Sequence, residues 1–205
     1  MSEGRYVGMG LLESDDLLGW VSLITAADPD ARILLHGNSM GAATVMMAAG
    51  DARLPRNVVA AISDCGYSSV VSQFTDNAEA MFRLPHSLAV LLVKVASHVS
   101  ERKAGYRFED ASCVKALRHA TIPMMFIHGG ADTFVNPKYL DINYNACASI
   151  DREKLLIPGA DHTMSASTDR SAIGVALTAL LSGCLGCSRY RAWLPSVRGA
   201  ASEAD

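Results

Sequence analysis

The sequence predicts an α/β fold: a mostly parallel sheet of about four strands with flanking helices on both faces. Three observations predict it. Short apolar runs recur without the in–out alternation of a one-sided sheet, as strands buried on both faces do. The segments between them have helical spacing or helical length. The chain has 205 residues, 50% of them apolar, which suffices for a sizeable core.

The elements follow in order. Ser14 before Asp15 and Asp16 reads as a helix start, a capping side chain followed by acids at the positive end of the dipole. Leu17, Leu18, Val21 and Ile24 continue it at helical spacing, and Asp28-Pro29-Asp30 ends it. The first strand is expected over Arg32–His36. A small, apolar helix over Ala42–Ala49 is closed by Gly50. Asn57–Ser63 is the second strand. From Tyr67 to Ala120 the pattern is helical, punctuated at Pro85 and Gly105. Met124–Gly129 is the third strand, Pro137–Ser149 a helix, and Lys154–Gly159 the fourth strand. A last helix spans Ser171–Leu181, and the polar end from Ser188 is expected to fray.

Composition excludes several classes. Lys plus Arg is 18 and Asp plus Glu is 21, a formal charge of −3, so this is no strongly basic nucleic-acid binder. Five cysteines at irregular spacing form no disulfide framework and point to a reducing compartment. Met1 to Tyr6 lacks the apolar run of a signal peptide, so a cytoplasmic location is expected. Ser171–Ser188 is uncharged but rich in Ser, Thr and Gly, and a membrane is not an expected partner.

One constellation carries chemistry. Gly37-Asn38-Ser39-Met40-Gly41 is a G-x-S-x-G pentapeptide between a strand and a helix. A sharp turn there lifts the Ser39 hydroxyl to the carboxyl edge of the sheet, and crowded backbone requires Gly two residues to either side. The helix N-terminus stabilises negative charge that develops on an attacked carbonyl. A Ser nucleophile needs a base, and the base an orienting acid. Asp132 follows the third strand and His162 the fourth, so both reach the edge that holds Ser39. Asp64, just past the second strand, is the competing acid, with holding the loop at Cys65 and Gly66 as its other role. Asp161 reads as a loop residue. His36 and His128 are expected to be packed or locally hydrogen-bonded at strand ends. His86, His98 and His119 are surface or core residues by default. No metal-ligand spacing stands out, and no metal or cofactor is expected. Cys184 and Cys187 form a lone C-x-x-C, read as incidental thiols rather than as a redox or zinc site. Gly8-Met9-Gly10 lacks the third glycine and the preceding strand of a dinucleotide fingerprint.

The runs Leu35–Val45, Ser63–Ser69, Phe126–Val135 and Ile157–His162 resemble bacterial α/β-hydrolase serine hydrolases, in particular those similar to prolyl-oligopeptidase and serine aminopeptidases. The resemblance covers about residues 5 to 170. It implies a partial α/β-hydrolase fold with Ser39 as nucleophile, Asp132 as acid and His162 as base, an acyl-enzyme route, and the Met40 backbone N–H in the oxyanion hole. It implies a domain over 1–170 in which 67–120 is a helical cap-like insertion, and an atypical helix and tail over 171–205. Phe74, Met81, Phe82, Leu84, Leu88, Leu91 and Leu92 of that insertion either line an acyl pocket or pack the cap onto the sheet. Lys94, Arg102, Lys103 and Arg107 read as a solvated face. The expected partner is a small-molecule or peptide acyl substrate.

Such hydrolases carry several strands upstream of the nucleophile strand, one of whose loops supplies a second oxyanion donor. Here only residues 1–31 precede that strand, which reads as an N-terminal truncation. The nucleophile strand is then left with an open edge, where self-association is the expected consequence. The alternative to an enzyme is a non-catalytic binding module that lacks half the oxyanion hole.

Overall fold

A computed structural model describes residues 4–185. Its four strands are β1 (Ile33–Asn38), β2 (Val58–Asp64), β3 (Met124–Gly129) and β4 (Arg152–Ile157), all parallel and ordered β1-β2-β3-β4 in space. Each strand pairs with the next in sequence, so every carboxyl end emerges on one edge. That edge therefore collects Ser39, Asp64, the loop after Gly129 and the loop after Ile157.

Eight helices accompany the strands among the described residues. They are α1 (Leu11–Ala27), α2 (Met40–Ala49), α3 (Val70–Phe82), α4 (His86–Ala104), α5 (Cys113–Leu117), α6 (Lys138–Ala146), α7 (Ser165–Thr168) and α8 (Arg170–Leu185). The sheet divides the core as a period of two requires. Met124 and Phe126 enter the larger cluster with α1, α2, α5 and α6, while Met125 and Ile127 enter the smaller one under α8. α2 is the centre of the larger cluster: every residue from Ala42 to Ala49 is buried, and its small side chains let it lie close on β1 and β2.

Three local expectations change. Helix α1 starts at Leu11, three residues before Ser14. Its N-cap is Gly10 in the left-handed region (φ 94°), and Glu13 reaches back to the N–H groups of Gly8 and Gly10 at 2.7 and 2.8 Å. A carboxylate on two orphan donors outweighs a Ser cap, and Ser14 is buried instead with its hydroxyl on the Leu11 carbonyl. This also accounts for the Gly8-Met9-Gly10 run. His36 is exposed rather than packed, because β1 is an edge strand whose second face no described helix covers; Leu34, on the same face, is 36% exposed.

The helical stretch after Tyr67 is the third change. Its second half belongs to the core: Tyr106, Phe108, Cys113 and Leu117 are buried, and α5 packs between α2 and α6. Phe74 packs edge-on against Phe108 at 5.0 Å. Met81, Phe82, Leu88, Leu91 and Leu92 are exposed, so they do not pack the insertion onto the sheet. α4 turns Ala89, Val93 and Ser97 inward and leaves its larger apolar residues outside. Helix α8 is longer at both ends than expected, and α7 was not foreseen. Cys187 and the tail from Ser188 lie outside the described residues. No described helix is long and apolar enough to cross a membrane.

Candidate active site

Ser39 sits between β1 and α2 with φ 56° and ψ −115°, a strained conformation for a residue with a side chain. Two restraints hold it. The Ser39 N–H donates to the Asp64 carbonyl at 2.9 Å, which ties the turn to the end of β2. Gly37 provides the space: a Cβ there would lie 2.0 Å from the Gly41 carbonyl oxygen. The requirement is one-sided, because a Cβ on Gly41 would meet nothing within 4 Å. Crowding falls on the strand side of the turn, where the chain folds back over itself. Met40 opens α2, so its N–H is among the first-turn donors without an intrahelical partner.

Asp132 lies in the loop after β3, with its carboxylate fully buried. Oδ1 accepts from the backbone N–H groups of Phe134 and Val135 at 2.9 and 2.8 Å. These two bonds aim Oδ2 at His162, whose Nδ1 is 2.7 Å away. His162 follows β4 through a tight descent. Gly159 takes φ 76°, Thr163 takes φ 63°, and the Asp161 carboxylate accepts the His162 N–H at 2.7 Å. Asp161 is thus the loop residue that the sequence suggests.

The other ring nitrogen completes a chain. His162 Nε2 is 2.9 Å from Ser39 Oγ. A carboxylate only accepts, so Nδ1 carries the ring proton, and Nε2 presents a lone pair to the Ser39 hydroxyl. The side chain of His162 is 19% exposed, and the Phe134 ring stands 5.0 Å from its imidazole. The arrangement can take a proton from Ser39 and return it to a group beyond.

Three further residues surround this chain. His128, buried at the end of β3, has Nε2 3.0 Å from the Val135 carbonyl and 3.4 Å from Asp132 Oδ2. His128 is thus packed and locally hydrogen-bonded, as the sequence suggests; its place behind Asp132 is an addition, signalled in sequence by the four-residue spacing across a strand end. Asp64 is buried, and its carboxyl is pushed up by burial. It accepts from Ser165 Oγ at 2.9 Å, so it fastens α7 to β2 rather than holding the loop at Cys65. Among the described residues its side chain makes no hydrogen bond to His162. Cys65 has φ 49°, and its thiol donates to Asn38 Oδ1 at 3.2 Å. Burial pushes that thiol up to about 12.

Cys65 Sγ, an Asp132 oxygen and a His162 nitrogen lie within 4.8 Å of one another, a spacing that could hold a cation. The donors are already engaged, however: Asp132 and His162 hold each other, and the thiol keeps its proton. A cation there would displace the proton on which the Ser39 chain depends.

The edge-to-edge order of strands, the strained serine after the first and the loops after the third and fourth define part of an α/β-hydrolase fold. Solved structures share it. Pyrococcus furiosus esterase Pf2001 superposes with a TM-score of 0.64 at 18% identity, over 89% of this chain and 66% of that one. Pyrococcus horikoshii acylaminoacyl peptidase gives a TM-score of 0.63 at 14% identity, over 88% of this chain and 29% of that one. Among curated proteins, YqkD of Bacillus subtilis, uncharacterized, is 30% identical over 135 residues. That match takes in 65% of this chain and 43% of YqkD, so the chain spans less than half of that relative. No family model matches.

Proposed function

We propose that the chain carries the catalytic centre of a serine hydrolase that cleaves an ester, thioester or amide of a small-molecule or peptide substrate. The observation that carries this reading is the continuous hydrogen-bonded chain Ser39–His162–Asp132 on one sheet edge. Ser39 Oγ attacks the substrate carbonyl carbon as its proton passes to His162 Nε2. Asp132 steadies the imidazolium that forms. The Met40 N–H, at the positive end of α2, faces the oxyanion. The tetrahedral species collapses when His162 returns the proton to the leaving group, and an acyl group remains on Ser39. Water, deprotonated by His162, then releases the acid. Neighbours that are esterases and peptidases support the class of reaction.

A fluorophosphonate probe tests the nucleophile. Labelling of the wild type, lost in Ser39→Ala, is expected. Folded protein that does not label overturns the reading for this chain. The second reading is a binding module without turnover, and it rests on Met40 at the head of α2 being the backbone donor that follows Ser39 among the described residues. Loss of one such donor costs about 10²–10³ in rate. Labelling together with measurable turnover on a panel of acyl esters would set that reading aside.

A further inference from the structure

The α3–α4 hairpin presents a surface that the triad does not use. At about 100° per residue, Leu88, Leu91, Leu92, Val95 and Val99 form one stripe along α4, opposite the inward face of Ala89, Val93 and Ser97. Their exposures run from 46 to 57%. Met81 and Phe82, at the end of α3, extend the stripe at 72 and 64% exposed. A contiguous apolar surface of this kind marks an interaction site.

Charge indicates what would cover it. Between residues 83 and 104 the acidic side chain is Glu101, against Arg83, Lys94, Arg102 and Lys103. All four cations are exposed, and none is in an ion pair among the described residues. Glu101 sits within 3.4 Å of His98 and 3.9 Å of Arg107, and Glu79 on α3 is held by His86 at 2.5 Å, so the nearby acids are already matched. The whole chain has a formal charge of −3, so this hairpin is a basic island on an acidic protein. An apolar stripe flanked by exposed cations on a helix too polar to span is the pattern of a helix that lies in a bilayer interface.

We propose that the α3–α4 hairpin docks on an anionic lipid surface, with the stripe from Met81 to Val99 in the acyl boundary and Arg83, Lys94, Arg102 and Lys103 at the headgroups. Lys94, Arg102 and Lys103, exposed as the sequence suggests, are thereby given a partner. It adds a surface contact to the expectation that no membrane is engaged. It stands independently of the role of Ser39.

The test is co-sedimentation of the full chain with vesicles of phosphatidylcholine alone and of phosphatidylcholine mixed with phosphatidylglycerol. Binding to the mixed vesicles is expected, weakened by salt and weak on phosphatidylcholine alone. Leu91→Glu with Val95→Glu should abolish it. Arg102→Gln and Lys103→Gln should each lower partitioning about fivefold. Leu23→Glu, on the separate exposed face of α1, should leave it unchanged and shows that the fold tolerates such changes. Circular dichroism on each variant separates lost binding from lost fold. Failure of the wild type to sediment with mixed vesicles overturns the proposal. So does a concentration-dependent dimer that Leu91→Glu dissolves, because the stripe would then be a contact between copies of this chain.

Discussion

His128 Nε2 lies 3.0 Å from the Val135 carbonyl and 3.4 Å from Asp132 Oδ2, wholly out of solvent. A carbonyl only accepts, so this nitrogen donates its proton to Val135, with Asp132 Oδ2 close beside it. The same loop donates two N–H groups to Asp132 Oδ1. The acid is therefore held from both sides before it meets His162.

Replacing His128 by Leu leaves the Val135 carbonyl buried without its donor, which costs about 1–3 kcal/mol. A drop of that size in urea-unfolding free energy is expected. Slower fluorophosphonate labelling should accompany it, because Asp132 loses its backing. Unchanged stability would show that the His128 bond contributes nothing.

Asp132→Asn should keep the loop and lose the chemistry. An Asn side-chain oxygen can still accept from Phe134 and Val135, so the fold survives. The amide nitrogen then donates to His162 Nδ1 and forces the ring proton onto Nε2. His162 can no longer accept from Ser39. In Ser-His-Asp hydrolases this change costs about 10⁴ in rate. A loss of less than tenfold at a normal melting temperature would move the acid's role elsewhere, Asp64 being the next carboxylate on that edge.

The two glycines of the pentapeptide should behave differently. In Gly37→Ala the new methyl meets the Gly41 carbonyl at 2.0 Å, so backbone must move, and such overpacking costs roughly 1–3 kcal/mol or more. Loss of labelling and a lower melting temperature are expected. Gly41→Ala adds a methyl in open space inside a helix and should be neutral, or stabilising by up to about 1 kcal/mol. Equal damage from both substitutions would contradict the one-sided crowding.

Asp64 predicts a pH dependence. Burial raises its carboxyl above the ordinary value of 3.8, against the bond from Ser165 and the nearby His36, His128 and His162, which lower it. A raised acid binds its proton more tightly in the folded state. Its stabilising contribution is present below pH 3.8 and is lost as pH rises through the folded value. Melting temperatures of wild type and Asp64→Asn should therefore diverge as pH climbs above about 4, with the variant gaining relative stability. Parallel curves across that range would mean that Asp64 is not raised.

Much of the fold and of the candidate site was readable beforehand for physical reasons. Strands buried on both faces show as uninterrupted apolar runs, and the small residues of Ala42–Ala49 announce a helix pressed on a sheet. Loops after parallel strands share an edge, so Ser39, Asp132 and His162 could be grouped without coordinates. What escaped depends on contacts between distant residues. Glu13 as the cap of α1 is a choice between two local caps that packing decides. Ser165 finds Asp64 across 101 positions, and no local pattern announces that pair. The exposed face of α4 escaped for a different reason: helical periodicity identifies a stripe of Leu and Val but not which side is turned outward.

By itself the sequence determined the order of elements, the strained turn at Ser39 and the edge on which the three side chains meet, because strand direction and glycine spacing are local properties. Tertiary structure alone decided that Nδ1 of His162 faces Asp132 and Nε2 faces Ser39, that His128 closes the back of the acid, and that α4 turns its alanines inward and its leucines out. Those outcomes follow from side chains that compete for the same buried space and the same protons, a competition that begins only when the chain has folded.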